Sequence, residues 1–343
     1  MKSIFLCESE FNLNRVYAKN LTEELKQTAG LYADKIYTKS DILEDPGKFS
    51  DTEYIFSTWG MPVFEEDEIK RCFPNLKCVF YAAGTVQSFA RQFLNCKVKV
   101  FSAWAANAVP VAQYTAAQIV LALKGYFCSE HVSSLSEWKS MKKRFSEYPG
   151  VYGEKVGIIG AGMIGKLVIS RVKALGLGCL VFDPFMPDEK AKQLGVEKCT
   201  LEKLFGVIIR GGAYAFGQYD DMNLANNAET RGMLNYALFS SMRKNSVFIN
   251  TGRGAQIVEE DLFRILKERP DITALLDVTV TEPPEDGSEF YKLKNCFLTP
   301  HIAGSSGNEV HRMAEYMKDE FEKFGSGNGC LYEVTLEMLK TMS

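Results

Sequence analysis

Nine cysteines are scattered along 343 residues without a C-x-x-C pair, and the nearest two, Cys72 and Cys78, lack a usual zinc-ligand spacing. That argues against a structural zinc framework, and an odd number of dispersed thiols points to a reducing compartment. Only three histidines occur, His131, His301 and His311. No apolar run reaches the roughly 18 residues of a membrane-spanning helix, and the run at 4–6 is too short for the core of a secretory signal. The formal net charge is -3 and the pI near 5.8, so no broad positive field draws in nucleic acid or an anionic membrane. The local cluster Lys139, Lys142, Lys143 and Arg144 reads as a solvated helix face. No repeat of solenoid period and no low-complexity tract is present. These absences predict a cytoplasmic protein with no metal, nucleic-acid or membrane partner.

What remains is an ordinary globular composition, 46% hydrophobic and 24% charged, in a chain long enough for two domains with sizeable cores. Its most informative stretch is 154–184, EKVGIIGAGMIGKLVISRVKALGLGCLVFDP. Residues 156–159 read as a buried strand that enters a G-x-G-x-x-G turn at Gly160, Gly162 and Gly165, with Met163 and Ile164 between the last two glycines. A helix is expected over 166–175, where Leu167, Val168 and Val172 share a face and Gly176 suits the C-terminal cap. A second strand, 179–182, ends in Asp183. Each residue type has work to do around a dinucleotide: Gly160 permits the tight turn, Gly162 lets backbone approach a pyrophosphate, and Gly165 lets helix and strand pack closely. The helix N-terminus offers N–H groups and a positive dipole end to that pyrophosphate. Asp183 stands where an acid accepts from the ribose 2'-hydroxyl and repels a 2'-phosphate, which favours NAD over NADP. The plain alternative is a glycine-rich turn in another α/β protein, but strand, turn, helix, strand and acid in this order favour the cofactor.

The same alternation of strands and helices fills the rest of the chain. Strands are expected at 4–7, 54–57 and 78–81, with a helix over 13–25, and the first region is self-contained to about Ser102. The loop after 54–57 holds Trp59 and Met61, and the strand at 78–81 ends in Tyr81, Ala82, Ala83 and Gly84. Small residues at Ala83 and Gly84 would let a ligand carboxylate reach backbone N–H groups, while Trp59, Met61 and Tyr81 favour an apolar or aromatic substrate side chain. A core-capping role for Trp59 and Met61 is about as well supported. A long helix over 107–127, interrupted near Pro110, leads into the glycine-motif region. Beyond Asp183 come strands at 247–250, 272–278 and 297–299 and a helix at 259–268. A last helical stretch over 306–324 leaves that sheet.

The chemistry-bearing residues follow three of these strands. His301 comes directly after a strand, where open α/β sheets bind ligands; His131 and His311 lie in polar helical surroundings and read as surface residues. Arg253 sits on a glycine-flanked turn after 247–250, and its planar fork suits a carboxylate or carbonyl of a 2-oxo acid. Asp277 leads to Glu282, and a glutamate beside a histidine stabilises imidazolium until it donates its proton. Singly, each is about as well explained as a surface or structural residue; together, at neighbouring strand ends, they point to catalysis.

The motifs N-T-G-R-G at 250–254, D-V-x-x-x-E-P at 277–283 and T-P-H-I-A-G at 299–304, downstream of the glycine turn, resemble the D-isomer-specific 2-hydroxyacid dehydrogenase family. The resemblance covers nearly the whole chain, including NAVPVAQYT at 107–115. It implies two similar βα domains of Rossmann or flavodoxin type with parallel sheets and a cleft between them. The substrate domain would be split, 1–104 plus 305–343, around an NAD domain at 105–304. It further implies Arg253 for substrate binding, His301 as acid/base, Glu282 as its partner, and Thr251, Asp277 and Gly304 beside the cofactor. Trp59, Ala83 and Gly84 would line the substrate side of a homodimeric enzyme that interconverts a 2-oxo acid and a D-2-hydroxy acid. One segment departs from the pattern: where the family has a short strand followed by a histidine-containing loop, residues 206–223 read GVIIRGGAYAFGQYDDMN. Residues 207–209 are the candidate for that strand, but with Gly206, Gly211, Gly212 and Gly217 the whole of 206–223 is expected to be poorly packed or mobile, and the histidine is missing. That departure keeps a second reading open, an NAD-binding regulator or an impaired member of the family.

Overall fold

In the second half of the chain, neighbouring strand residues enter different hydrophobic cores. Val156 and Ile158, Cys179 and Val181, Val247 and Ile249, and Leu275 pack into one core. Ile159, Leu180, Phe248, Ala274 and Leu276 pack into another. This is the period of two expected of a strand buried on both faces, and it explains why these strands read as continuous apolar runs. Each buried Leu, Ile or Phe contributes roughly 1.5–3 kcal/mol.

The computed structural model describes residues 2–128, 132–207, 213–216 and 230–340. The chain divides into two compact units, Met1–Asn107 with Ser305–Ser343, and Ala108–Gly304. The first unit runs β1 (Ser3–Leu6), α1 (Glu10–Val16), α2 (Lys19–Ala29), β2 (Leu31–Tyr37), α3 (Lys39–Glu44), β3 (Tyr54–Ser57), α4 (Glu66–Cys72), β4 (Cys78–Tyr81), α5 (Ala90–Asn95) and β5 (Lys99–Ser102). Helix α6 (Trp104–Leu123) carries the chain into the second unit. There follow α7 (Leu135–Phe145), β6 (Lys155–Ile159), α8 (Met163–Ala174), β7 (Gly178–Phe182), α9 (Asp188–Leu194), β8 (Glu197–Lys198), α10 (Leu201–Val207), β9 (Ala213–Phe216), α11 (Tyr236–Ser240), β10 (Val247–Asn250), α12 (Glu259–Glu268), β11 (Thr273–Leu276) and β12 (Cys296–Leu298). Helix α13 (His311–Ser326) and β13 (Glu333–Val334) complete the first unit.

The first sheet has the order β13-β5-β4-β3-β1-β2 and is parallel except for β13. Its five parallel strands have the flavodoxin-like order 2-1-3-4-5. Aromatic rings fill its core: Phe80 stacks between Phe56 and Phe101, with centroids 5.3 and 5.0 Å away. Phe321 of α13 meets Phe80 edge-on at 5.7 Å. Glu320, fully buried on the same helix, accepts the N–H groups of Leu331 and Tyr332 at 2.8 and 3.0 Å and so fixes the approach to β13. The second sheet, β12-β11-β10-β9-β6-β7-β8, is parallel throughout. Its order reverses between β6 and β9, the switch point at which doubly wound sheets bind ligands.

Several expectations need correction. The helix over 13–25 is two helices, broken where the Tyr17 hydroxyl donates to Ser57 O at 3.3 Å. The strand expected at 207–209 lies instead at Ala213–Phe216, in central pairing with β6 and β10, while Val207 ends α10. Glycines on either side hid it, and backbone pairing on both edges overrides weak strand propensity. A poorly packed segment therefore does not extend across 213–216; residues 208–212 and 217–223 lie outside the described residues, as does His131. His311 is not simply a surface residue: it opens α13 with Nδ1 3.3 Å from Val16 O. Among the described residues no helix is long and apolar enough to cross a membrane, and no three side chains cluster as metal ligands.

Candidate active site

The glycine turn between β6 and α8 has the backbone its residues dictate. Gly160 takes φ +88°, and Gly162 caps α8 without a side chain, leaving the first-turn N–H groups of the helix without a side-chain cap. A Cβ on Gly165 would lie 2.1 Å from Gly160 O, so no other residue fits. Ile164 is buried beneath the turn and Met163 half-buried at its edge. Asp183, at the end of β7, is only 1% exposed. It accepts the N–H of Ala161 at 3.0 Å and those of Phe185 and Met186 at 2.9 Å. The acid expected at the ribose is thus also a clamp that ties the glycine turn to the chain after β7. A turn with no side chains at the helix N-terminus and room for backbone approach fits a pyrophosphate.

On the other side of the switch point, β10, β11 and β12 pair in register, with Asn250 beside Leu276 and Leu276 beside Leu298. The segments that carry Arg253, Asp277 to Glu282, and His301 therefore leave the sheet at one level. The Asn250 side chain shapes the first turn, accepting from Gly252 N at 2.9 Å and donating to Arg253 O at 3.3 Å. Arg253 Nη1 donates to Gly252 O at 3.0 Å, and Thr251, nearly buried, has its hydroxyl 3.0 Å from that of Thr115. A Cβ on Gly254 would lie 2.0 Å from the carbonyl carbon of Thr279, so this glycine lets the arginine turn press against the segment leading to Glu282. Glu259 of α12 holds that segment too, accepting Val280 N–H at 2.8 Å. Partial burial raises the Glu259 carboxyl above its ordinary range, against the lowering effect of that N–H.

His301 and Glu282 meet: Nδ1 lies 2.8 Å from Glu282 Oε2. Both are open to solvent, at 56% and 40%. With Nδ1 turned to the carboxylate, Nε2 is the nitrogen left for a reactant. His301 has φ +52°, a conformation uncommon for a residue with a side chain. Asp277, 3% exposed, holds this turn, its carboxylate accepting Thr299 Oγ1 at 2.6 Å and the N–H groups of Ile302 and Ala303 at 2.9 Å. A cavity of about 420 Å³ opens beside the pair, lined by Thr279, Glu282, Pro283, Tyr291, Leu298 and His301 among others. Gly304, one residue past the held turn, is half-buried. Burial pushes the Cys296 thiol up to about 12, so it is no nucleophile here.

In the first unit, Trp59 is half-buried and its carbonyl accepts from Asn12 Nδ2 at 3.2 Å. Two of its expected companions belong to the core: Met61 is 8% and Tyr81 6% exposed, and the Tyr81 ring lies 4.9 Å from that of Phe89. Ala83 is fully buried and its N–H donates to Tyr81 O at 2.9 Å, so it is not offered to a ligand, contrary to the sequence-based expectation. Gly84 has open space where a side chain would stand. Asn250, Gly254, Glu259 and Thr299 shape the site without a role assigned to them from the sequence: the first two and Thr299 stand inside the motifs at 250–254 and 299–304, and Glu259 carries no signal.

A seven-stranded parallel sheet, a glycine turn at its switch point and an acid closing the next strand define a dinucleotide-binding α/β protein. The family profile for the D-isomer specific 2-hydroxyacid dehydrogenase NAD binding domain matches residues 117–210 and 215–303, just over half the chain. The chain belongs to the D-isomer specific 2-hydroxyacid dehydrogenase family, and its cofactor is NAD. The profile breaks at 211–214, inside the segment that departs from the family pattern. D-3-phosphoglycerate dehydrogenase of Methanocaldococcus jannaschii is 29% identical over 278 residues, 81% of this chain and 50% of that protein. Glyoxylate reductase of Korarchaeum cryptofilum is 32% identical over 177 residues, 52% of this chain and 51% of that protein. The matched part thus spans about half the length of these curated relatives. D-mandelate dehydrogenase of Rhodotorula graminis, in its apo crystal structure, shares the fold with a TM-score of 0.76 at 19% identity, over 97% of each chain.

Proposed function

We propose that this protein is an NAD-dependent oxidoreductase that interconverts a small 2-oxo acid and its D-2-hydroxy acid. The observation that carries the reading is the His301–Glu282 pair, 2.8 Å apart on segments that follow adjacent strands. NAD supplies or takes up the hydride when bound. His301 gives a proton to the substrate oxygen in reduction and removes it in oxidation, and Glu282 fixes the ring through Nδ1. Arg253 binds and orients the substrate carboxylate through its fork. Gly160, Gly162, Met163, Ile164, Gly165, Asp183, Thr251, Asp277 and Gly304 form the cofactor side; Trp59 and Gly84 remain the substrate candidates in the first unit. The preference for an apolar or aromatic substrate side chain now rests on Trp59.

The working form proposed is a homodimer in the cytoplasm. Leu135 and Trp138 of α7 are 69% and 51% exposed, and no residue of that helix is buried, so it has a face to offer a second copy. The break in the family profile at 211–214 keeps one competing reading in view, an NAD-binding member without turnover.

NADH oxidation with glyoxylate, pyruvate and phenylpyruvate separates the two readings. Turnover of at least one acid is expected, with phenylpyruvate preferred; tight NADH binding with no turnover of any 2-oxo acid would favour the NAD-binding member without turnover.

A further inference from the structure

The turn that presents His301 is wrapped around one residue. Asp277 accepts His301 N–H on its backbone carbonyl at 3.1 Å and takes Thr299 Oγ1, Ile302 N and Ala303 N on its carboxylate. The Thr299 hydroxyl has a single proton and commits it to Asp277 Oδ1 at 2.6 Å. Its remaining contact is the Tyr114 hydroxyl at 3.1 Å, so Tyr114 is the donor there. The hydrogen bonds thus run in one direction, from Tyr114 through Thr299 to Asp277. Tyr114 stands on α6, a twenty-residue helix packed into the core on one face of the sheet. The next residue of that helix, Thr115, spends its own proton on Val111 O at 2.8 Å and so accepts from Thr251, on the turn that carries Arg253. Consecutive residues of one helix thereby reach both chemistry-bearing turns.

We infer that Tyr114 and Thr299 are positioning residues for His301, acting through Asp277 to hold the 299–303 turn in the left-handed conformation that aims the imidazole. The inference rests on the reading of His301 as the acid/base. A left-handed backbone at a residue with a side chain is strained and persists only where surrounding contacts determine it. Without the Thr299 hydroxyl the Asp277 carboxylate has one fewer anchor and the turn can relax. Misplacement of a catalytic group by about 1 Å costs up to a hundredfold in rate.

The test compares Tyr114→Phe, Thr299→Val and Thr299→Ser in the full-length protein with NADH. Two quantities are read: steady-state turnover of the best 2-oxo acid, and hydrogen exchange at the Ile302 and Ala303 amides by NMR. Thr299→Val should lower kcat by about tenfold or more and Tyr114→Phe by several-fold, with the KM for NADH unchanged. Both should speed exchange at the two amides, and Thr299→Ser, which keeps the hydroxyl, should restore both quantities to within about twofold. Should Thr299→Val fail to fold, Tyr114→Phe alone decides. Parent-like exchange in Tyr114→Phe and Thr299→Val would overturn the inference, as would faster exchange with unchanged kcat in an active parent. If the parent turns over no 2-oxo acid, the proposed function fails, while the exchange measurement still decides whether Tyr114 and Thr299 hold the turn.

Discussion

Asp183 and Asp277 close β7 and β11 in the same way and hold different things. Each is buried at the end of a parallel strand, and each carboxylate accepts backbone N–H from a segment that follows another strand, Asp183 from Ala161 and Asp277 from Ile302 and Ala303. Asp183 clamps the glycine turn of the cofactor half; Asp277 clamps the histidine turn of the chemistry half. The difference lies in what the clamped turn offers. The glycine turn offers bare backbone, which on the proposed function meets a phosphate, so its geometry is complete without side chains. The histidine turn presents one imidazole ring, which is held by a second carboxylate, Glu282, with the hydroxyls of Thr299 and Tyr114 behind the turn. On the proposed function, binding would draw on backbone that glycine makes possible, and chemistry on a side chain that several others aim.

The sharpest way to test this division is to remove the ring. His301→Ala should cost about a hundredfold or more in turnover while leaving the dissociation constant for NADH within about twofold. Asp183→Ala should do the opposite, weakening NADH binding while preserving most of kcat at saturating cofactor. Fluorescence titration with NADH and steady-state kinetics measure both. Were His301→Ala to weaken NADH binding as much as it slows turnover, the two halves could not be treated separately.

An intermediate effect is expected from Asp183→Asn and Asp277→Asn. In either orientation the new amide turns an N–H toward a backbone N–H that the carboxylate had accepted, at about 1–3 kcal/mol for a buried donor left without a partner. Both variants should therefore melt several degrees lower than the parent. Function should then divide them: Asp183→Asn should narrow a preference for NADH over NADPH, and Asp277→Asn should lower kcat. The preference itself is expected because no arginine accompanies Asp183 in the following Pro184, Phe185 and Met186 to neutralise a 2'-phosphate. An unchanged NADH to NADPH ratio in Asp183→Asn would make Asp183 a clamp and nothing more.

The two halves also differ in how far the sequence foretells them. Strands at Tyr54–Ser57, Cys78–Tyr81 and Val247–Asn250 and the helix at Glu259–Glu268 were legible to the residue, because each is a short apolar run or an amphipathic stripe bounded by polar or glycine-rich chain. Strand Leu31–Tyr37 was not, since LYADKIY is an edge strand with exposed charge and an irregular register. The glycine turn was fully legible, because glycine spacing is itself the mechanism. At the chemistry end the ionisable residues stood out, whereas what aims them did not. Thr299 and Tyr114 act through a carboxylate and a hydroxyl far away in the chain, and no spacing rule announces such partners, whereas Asn250 shapes the turn two and three residues on. Ala83 fails as a ligand donor for a local reason: the chain turns tightly after β4 and its N–H is taken by Tyr81 O.

The smallest effect separates a buried clamp from a half-exposed one. Glu259 accepts Val280 N–H as Asp277 accepts those of Ile302 and Ala303, yet burial leaves its carboxyl raised above the ordinary glutamate range despite that bond. The folded protein therefore holds the Glu259 proton more tightly than the unfolded chain does. Its contribution to stability is complete below the ordinary glutamate value and is lost as pH rises through the raised one. At neutral pH the charge is a net cost, and Glu259→Gln, which keeps an oxygen for Val280, should stabilise the protein slightly. Solvent screening at this partly exposed site limits the gain to about half a kcal/mol or less. Thermal melts of the parent and Glu259→Gln should differ in that direction at pH 7 and converge near pH 4. If Glu259→Gln instead melts as far below the parent at pH 7 as Asp277→Asn does, charge holds the 279–282 segment as firmly as it holds the histidine turn, and burial would not distinguish the two carboxylates.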